Sequence, residues 1–508
     1  MQRARTVERA RVGSARAQST APRHSNGILV LALCLGLAGC KVAAEDIEYW
    51  KGTVKGPGKI TAVMLAGKYP IELRTQAALA LIDMERTDRD GTAELQQALS
   101  RLDDEERNQL IEGMVPGLEE LMKKSEKPDG TASPRQIRAK DAAFLLITHA
   151  PPQVKSKLTL DVVDWYMQDF NGRSLAGNYS AEQVIRALGS PAAKVLVKGL
   201  KAQMPQQALV KMAQLIGQLA DPATRKEAGT RIVAIEHEME GKEFLAWVKQ
   251  NVVAQADRTG MKLTAKQLDA AVEMNRDDFI NNGALPAMKW LSDDPAVKSR
   301  LLELAATKGK NDASEMRRVA ALAALEGKVG SSDLTTVMGL ALDAQNPATV
   351  RDAAFDRVGD IKSPAALPQL WPLVSSGGDA RQRWRAGELV LAIGGAQVVS
   401  EFFGKLPSGG EYPQEELEGY ATRMGQMTPM PLAAVREQLS GAAWYNRVIA
   451  IRFFERKGSA ADVAKLKELA QDKSATKGPR WGKTKTVGDV AEEAAVSAKQ
   501  RLAEPAAR

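Results

Sequence analysis

The sequence predicts an all-α protein, built as an α-solenoid of repeated helix pairs. Alanine and leucine, both strong helix formers, dominate the composition, and aromatic residues make up 5%. No alternating apolar and polar pattern of useful length predicts a strand. Two short motifs recur along the chain, and the distances Arg318 to Arg351 and Arg351 to Arg385 are 33 and 34 residues. A period of this size with two helices per unit is typical of a solenoid.

The first recurring motif predicts where helices begin. A Ser, Asp or Asn side chain can cap the free N–H groups of the first turn. Proline at the next position loses no hydrogen bond, because its N–H would have been unpaired there. The motif occurs as Ser190-Pro191-Ala192, Asp221-Pro222-Ala223, Asp294-Pro295-Ala296, Asn346-Pro347-Ala348 and Ser363-Pro364-Ala365.

The second motif predicts how the helices pack. An arginine is followed by paired alanines and, one turn later, by a large apolar residue. Alanines on one face allow two helices to approach closely, and the larger side chain fills the space beside them. It occurs as Arg74…Ala77-Ala78…Leu81, Arg138…Ala142-Ala143…Leu146, Arg317…Ala320-Ala321…Leu325 and Arg351…Ala353-Ala354…Val358, with looser versions at Arg385-Ala386…Leu389 and Arg447…Ala450…Phe453.

The segment Asn346-Pro347-Ala348-Thr349-Val350-Arg351-Asp352-Ala353-Ala354 resembles the core of the HEAT repeat family, in its short phycobilisome-lyase-type variant. The likeness is clearest over residues 290–400 and weaker over 60–240 and 415–505. It implies a HEAT-like α-solenoid. A generic Ala/Leu-rich helical bundle is the alternative.

The N-terminal region has the layout of a secretory signal peptide. Arginines precede an apolar run from Ile28 to Ala38, and small residues follow it. The run has 11 residues, too few for a membrane-spanning helix, which needs about 20. The run ends in Leu37-Ala38-Gly39-Cys40.

These four residues resemble the lipobox of bacterial lipoproteins. The resemblance implies cleavage before Cys40 and acylation of that cysteine, with the membrane as a partner through the acyl chains. Lys41 stands where an Asp would retain many lipoproteins in the inner membrane, so we expect an outer-membrane protein that faces the periplasm. A plain signal peptide with an incidental Cys40 is the alternative.

The chain therefore divides into four predicted segments. Residues 1–39 form the lipoprotein signal peptide and residues 40–59 a flexible tether. Residues 60–290 form an N-terminal helical, HEAT-like region, and residues 291–505 form C-terminal HEAT-like repeats. The segment 473–486 is predicted to be a basic loop, and an amphipathic helix over about 488–503 caps the stack.

Composition excludes several function classes. The chain has 70 basic and 62 acidic residues, of which residues 1–39 hold six and one, so the remainder has 64 and 61 and a net charge of +3. This balance does not favour nucleic-acid binding, which requires a concentrated basic field. The only cysteines are Cys34 and Cys40, so the mature body offers no thiol for a nucleophile, a disulfide or a metal. With His149 and His237 as its only histidines, we expect no catalytic site, metal or cofactor.

Tryptophan and arginine often dominate the binding energy of interfaces, and both occur together near the C-terminal repeats. The candidate binding surface comprises Trp371, Arg381, Arg383, Trp384, Arg385, Arg480, Trp481 and Lys483. The alternative places Trp384 in the core, with the arginines solvated or paired along the inner helices.

The function predicted from these features is a non-enzymatic scaffold or adaptor. A solenoid exposes a long surface that suits protein binding, and an anchored one would bind protein partners in the cell envelope. One alternative is an enzyme or cofactor-handling protein of the HEAT-like lyase type. Another is an envelope protein that binds a glycan or a lipid.

Overall fold

The structure, a computed structural model, describes residues 42–84, 91–123, 132–168, 180–309, 312–376, 379–481 and 485–503. Within them there is no β-strand, only an isolated bridge between Ala475 and Thr486. The α-helices are α1 (Ala44–Lys51), α2 (Gly56–Leu65), α3 (Ile71–Asp83), α4 (Gly91–Leu99), α5 (Asp104–Met122), α6 (Pro134–Ile147), α7 (Pro152–Gln168), α8 (Ala181–Leu188), α9 (Ser190–Gly199), α10 (Gln206–Leu219), α11 (Pro222–Met239), α12 (Lys242–Thr259), α13 (Ala265–Phe279), α14 (Leu285–Lys289), α15 (Pro295–Ala306), α16 (Asp312–Ala324), α17 (Leu334–Leu342), α18 (Ala348–Ile361), α19 (Leu367–Ser375), α20 (Ala380–Gly394), α21 (Val399–Lys405), α22 (Gln414–Met424), α23 (Leu432–Glu437), α24 (Trp444–Lys457), α25 (Ala460–Leu469) and α26 (Val487–Ala503).

These helices stack in two layers around one continuous apolar core, which confirms the predicted all-α α-solenoid of HEAT-like helix pairs. The first layer contains α2, α4, α6, α8, α10, α14 and then every even-numbered helix from α16 to α26. The second layer contains α3, α5, α7, α9, α11 and then every odd-numbered helix from α15 to α25. The core passes residue 290 without a break, because α14 packs on α10 and α15 packs on α11. The two predicted repeat regions are therefore one solenoid.

The direction of curvature follows from which layer is packed more closely. In the N-terminal part, α3, α5, α7 and α9 of the second layer pack directly on one another. From α16 to α26, successive helices of the first layer make the close contacts instead. A stack curves toward the layer whose elements lie closer together. The first layer therefore forms the inner face of the C-terminal half.

The predicted flexible tether over residues 40–59 is corrected by the structure. Residues 44–51 form α1 and α2 begins at Gly56. Ile47 of α1 and Ile60 of α2 are fully buried, and both helices pack on α3. The glycines and the proline that suggested a tether lie where one helix ends and the next begins. Pro57 occupies the first turn of α2, where it costs no hydrogen bond.

Helices α12 and α13 form a hairpin outside the two layers. Phe244, Trp247 and Phe279 pack together at its base, with ring centroids 5.4 to 5.5 Å apart. Farther along, Met261 and Met274 are exposed. A short π-helical turn, Ile280–Ala284, returns the chain to the stack at α14. The hairpin is an insertion between repeats rather than a repeat of its own.

The recurring arginines connect neighbouring helices. Arg74 and Arg138 of the motif, and three further arginines, donate hydrogen bonds to carbonyl groups at or near the C-terminal end of a preceding helix, where carbonyls lack partners within their own helix. In the motif around residues 317–325, Arg318 makes this contact rather than the expected Arg317. The donor and acceptor pairs are Arg74 to Met64, Arg138 to Ile82 and Asp83, Arg231 to Leu200, Arg318 to Ala305, and Arg357 to Leu322. Arg351 and Arg385 instead pair with acidic side chains, and Arg447 donates to carbonyls just before its own helix.

Helical segments begin at or next to all five predicted starts, and the predicted side-chain cap is confirmed at three of them. Asp221, Asp294 and Ser363 cap the helical turns that follow them. Ser190 lies inside α9 and donates a 2.7 Å hydrogen bond to the Asp221 carboxylate. Asn346 is buried and accepts a 2.8 Å hydrogen bond from Arg318. At these two positions the polar side chain joins neighbouring repeats instead of capping its own helix.

The stretch Ala380–Lys405 is long and apolar enough, by length and composition alone, to cross a membrane. It comprises α20, a short 3-10 turn and α21. Helix α20 packs against α18, α19 and α22, and its Arg383 is held in a buried ion pair. We therefore interpret this stretch as part of the solenoid.

Candidate binding groove

A groove opens on the inner face of the C-terminal half, across α18, α20 and the start of α22. Its volume is about 800 Å³. Three successive first-layer helices form its floor, and a segment between α25 and α26 forms one wall. It is lined by Asp352, Asp356, Ala380, Arg381, Trp384, Arg385, Glu388, Pro413, Glu415, Pro479 and Arg480.

Trp384 is the aromatic side chain in the lining, and it is half-buried on α20. Its indole nitrogen is buried without a hydrogen-bond partner among the described residues. A methyl group added at Gly419 of α22 would lie 3.0 Å from this nitrogen and 3.4 Å from a Glu388 carboxylate oxygen. Because glycine occupies that position, the edge of the indole fits between the two helices. The ring is thereby held in a fixed position in the groove.

The arginines of the groove are paired with acidic side chains. Arg381 pairs with Asp352, Arg480 with Glu415, and Arg385 with Asp356 and Glu388. In three of these four pairs the cation is the more exposed member, and the difference is largest for Arg381 and Arg480. Their side chains are 66% and 74% exposed, against 21% and 36% for the acids that they pair with. In the pair of Arg385 with Asp356 the acid is the more exposed member. Arg381 and Arg480 therefore present guanidinium groups to a ligand, with their carboxylate partners behind them.

The wall of the groove belongs to a segment that we call the strap, residues 470–481 and 485–486. The strap crosses back to the chain that precedes α22. The Tyr412 N–H donates to the Lys477 carbonyl at 2.9 Å, and the Trp481 indole N–H donates to the Tyr412 carbonyl at 2.8 Å. Trp444 stacks edge-on against Trp481, with ring centroids 6.2 Å apart. The described part of the predicted basic loop, residues 473–481 and 485–486, is therefore a packed structure between α25 and α26.

The strap requires unusual backbone conformations beside the groove. Gly478 has a φ of 134°, and a Cβ there would lie 2.5 Å from the Tyr412 carbonyl oxygen. Arg480 has a φ of 68°, in the left-handed region that L-residues rarely occupy. Conformations of this kind persist where surrounding contacts impose them, and they cluster at functional sites. Here they place the Arg480 side chain at the rim of the groove.

Arg383 is buried, which corrects its assignment to the exposed candidate surface. Its guanidinium forms two 2.8 Å hydrogen bonds with the Glu416 carboxylate and donates to the Glu411 carbonyl at 3.0 Å. The Tyr420 hydroxyl donates to Glu416 at 2.9 Å. Burial, the largest single effect, acts to lower the pKa of Arg383, but the hydrogen bonds to Glu416 and the charge of Glu416, with smaller effects of Tyr420 and Tyr412, together raise the pKa above its ordinary value. Arg383 joins α20 to α22 beneath the groove.

The other predicted residues fall into three groups. Arg381, Trp384, Arg385 and Arg480 line the groove together. Trp371 lies on α19 in the second layer, outside the groove, and Trp481 supports the strap. Lys483 and Cys40 lie outside the described residues.

Sequence analysis missed the acidic and proline residues of the groove. Asp352 lies inside the HEAT-like motif, and the sequence there indicates only an ordinary solvent-exposed position on a helix. Glu415 lies among Glu411, Glu416 and Glu418 near Pro413, a pattern that is typical of a solvated acidic surface. Pro479 lies about 100 residues after Trp384, and only the path of the strap brings them together. The one available signal was the spacing: Asp352 and Asp356 are one helical turn apart.

The described residues contain no group of three or more His, Cys, Asp or Glu side chains that could hold a metal ion. His149 follows the end of α6 and is exposed. His237 lies on α11, with its side chain 56% exposed and 3.8 Å from the buried Glu236.

The chain is similar to solved structures of the karyopherin Kap121p. A Kap121p mutant has 14% identity and a TM-score of 0.32, covering 89% of this chain and 49% of the karyopherin. Kap121p bound to the extreme C-terminus of the protein phosphatase Cdc14p has 13% identity and a TM-score of 0.31, covering 91% and 48%. The chain thus spans about half the length of these proteins. At these values the likeness carries no argument about function. No protein-family model and no curated protein matches the chain.

Proposed function

We propose that this protein is a lipid-anchored, periplasm-facing scaffold or adaptor that binds a protein partner through the groove on its inner face. The observation that carries the proposal is the groove itself. It combines three successive helices of the stack, a tryptophan held in place, and exposed guanidinium groups. Tryptophan and arginine in a partly enclosed surface are the side chains that most often dominate a protein interface.

The charges of the groove favour an acidic segment of the partner. Arg381 and Arg480 lie on two sides of the lining, and each is more exposed than the acid that it pairs with. A partner carboxylate can approach each guanidinium from the solvent side without breaking the existing pair. An apolar side chain of the same segment would pack on Trp384. Electrostatic contacts of this kind steer association and give it a strong dependence on salt.

The anchoring part of the proposal is supported by the resemblance to a lipobox at Leu37-Ala38-Gly39-Cys40. Acylation of Cys40 would hold the solenoid at a membrane with more than one acyl chain, which is sufficient for stable attachment. Protein binding at the groove and anchoring through Cys40 are separate parts of the proposal and are tested with separate variants.

Capture of the protein from crosslinked cells tests both parts. The full chain carries a C-terminal tag, is solubilised in mild detergent, and is compared with Cys40→Ala, Trp384→Ala and Trp371→Ala. Trp371 is a matched control, because it is a half-buried tryptophan outside the groove. We expect one protein in near-equal amount from the parent and Trp371→Ala samples, and about tenfold less from Trp384→Ala. Equal recovery from Trp384→Ala and Trp371→Ala would contradict a role of the groove.

Anchoring is read from the same cells by fractionation. The parent protein is expected in the membrane fraction, and Cys40→Ala in the soluble fraction. If the partner is a glycan or a lipid, the tagged chain would be recovered without any co-purifying protein. That result would also contradict the proposal.

A further inference from the structure

We propose that the first two helices, α1 and α2, form a second contact with the membrane, at the lipid–water interface. This inference rests on the proposed acylation of Cys40 and goes beyond it. An acyl anchor alone attaches the protein, whereas a second contact on the folded body would also orient the solenoid.

The chain between the proposed anchor and the first helix is short. Helix α1 begins at Ala44, four residues after Cys40. Each residue spans at most about 3.5 Å, so the Cα atoms of Cys40 and Ala44 are within about 14 Å of each other. Ile47 is fully buried and fixes α1 against the stack. An acylated Cys40 would therefore bring α1 close to the bilayer surface.

Helix α1 and the turn between α1 and α2 expose large apolar side chains. Val54 is 83% exposed and Tyr49 is 73% exposed. Among the described residues they are the two most exposed of the large hydrophobic side chains. Both lie within 14 residues of Cys40 in the sequence. Single exposed apolar side chains are common on protein surfaces, so these two are singled out by their high exposure together with their position close to the proposed anchor.

The surface around Val54 carries lysine side chains. Lys55 and Lys59 are exposed beside Val54, and the Lys59 ammonium lies 5.0 Å from the centre of the Trp50 ring. Tryptophan and tyrosine are enriched at membrane interfaces, and lysines near the surface are attracted to anionic headgroups.

The acidic residues of α1 limit how deeply this surface can enter the bilayer. Glu45 and Glu48 are also exposed, and Glu48 pairs with Lys51 at 2.5 Å. Carboxylates on the same short helix oppose insertion into the hydrocarbon region. The surface therefore fits the headgroup layer, with the exposed Val54 and Tyr49 as its apolar side chains.

Fluorescence from a single introduced cysteine tests this contact. In the acylated protein Cys40 is blocked and Cys34 has been removed, so an introduced thiol is the only one that can be labelled. Val54→Cys and the control Val496→Cys are labelled with nitrobenzoxadiazole; Val496 is 55% exposed on the last helix, at the other end of the chain. The full lipoprotein is reconstituted in vesicles of phosphatidylethanolamine and phosphatidylglycerol that contain a nitroxide lipid.

We expect the nitroxide to quench the label at position 54 at least about twofold more than the label at position 496, with a blue-shifted emission at position 54. Equal quenching at both positions, with the protein bound to the vesicles, would overturn the membrane contact and leave the anchor intact. Such a result would assign the surface to a protein partner or a second copy.

Failure of the proposed anchor gives a different result. If Cys40 is not acylated, the parent protein without an introduced cysteine takes up label and does not float with the vesicles. That outcome would overturn this inference together with the anchoring part of the proposed function.

Discussion

At the residue scale, neighbouring arginines on one helix have opposite roles. Arg383 and Arg381 are two positions apart on α20, which turns their side chains to different sides of the helix. Arg383 is 2% exposed and neutralises Glu416, whereas Arg381 is at the rim of the groove. Both residues are arginines, so it is the surroundings of each side chain that make Arg383 a structural residue and leave Arg381 able to bind a ligand.

The buried pair leads to the first prediction. Arg383→Ala is expected to lower the free energy of unfolding by about 3 to 5 kcal/mol, because Glu416 would remain as an uncompensated buried charge. Arg381→Ala on the same helix is expected to change it by no more than about 0.5 kcal/mol. Urea denaturation followed by circular dichroism measures both. Similar losses for the two variants would contradict this assignment.

The sequence could predict that this region holds interface-type residues, but not which of them are exposed. The motif around Trp384 has arginines at every second position, so a helix must turn some of them inward. Which one points inward depends on Glu416 and Tyr420, which arrive from α22, 33 and 37 residues later. No local pattern carries that information.

Asp161 on α7 is a second residue with an unusual environment. Burial, and after it the nearby Glu119 carboxylate, raise the pKa of Asp161 to about 6. The unfolded chain holds this group near its ordinary pKa of 3.8. Between these values the folded state binds the proton more tightly, so the contribution of Asp161 to stability falls as the pH rises from about 4 to about 6.

The second prediction is that Asp161→Asn stabilises the protein at pH 7, by about 1 kcal/mol once solvent screening of a half-exposed group is allowed for. The advantage over the parent is expected to shrink toward zero as the pH is lowered below about 5, where Asp161 is protonated. Urea midpoints of both proteins between pH 4 and pH 8 measure this. A difference that stays constant over this range would contradict the prediction.

At the element scale, the helices could be predicted from their start signals and apolar spacing, but their partners could not. Asp221 and Asp294 cap helices as expected, because capping is a local interaction. Asn346 carries the same signal and instead binds Arg318 of the preceding repeat. The competition between a local cap and a contact 28 residues away is decided by tertiary packing.

Close helix contacts provide the third prediction. A methyl group at Gly217 of α10 would collide with the main-chain carbonyl of Trp290, whereas one at Gly339 of α17 would meet nothing within 4 Å. Gly217→Ala is expected to destabilise the protein by about 1 to 3 kcal/mol despite the better helix propensity of alanine. Gly339→Ala is expected to stabilise it by about 0.5 to 1 kcal/mol. Thermal unfolding of both variants gives the sign of each change, and equal signs would contradict the packing.

The strap provides the fourth prediction. Gly478→Ala places a methyl group against the Tyr412 main chain, in addition to the backbone strain of a positive φ. Gly409→Ala introduces strain alone, since its surroundings are open. We expect the first change to detach the strap and to accelerate trypsin cleavage at Lys477 and Arg480 by about tenfold. Cleavage at the same rate in the two variants would contradict a strap held against Tyr412.

At the scale of the whole molecule, composition and period predict the solenoid, but not where it begins or which face is concave. Residues 44–51 follow Ala43, which offers no side-chain cap that would predict a helix start, and α1 is stabilised by packing on α3 with Ile47 fully buried. The second layer is the more closely packed one in the N-terminal half, and the first layer is the more closely packed one in the C-terminal half. This difference depends on contacts between repeats. The same difference makes the layer of α18, α20 and α22 the inner face, where the groove lies.

The central claim is that a partner protein occupies this groove, and crosslinking from a defined position tests it most directly. A photoreactive benzoylphenylalanine replaces Arg381 in the groove or, as control, Gln369, which is exposed on α19 of the other layer. Illumination of living cells is expected to give one dominant protein adduct from position 381 and none of that size from position 369. The same adducts from both positions, or none from position 381, would contradict the claim.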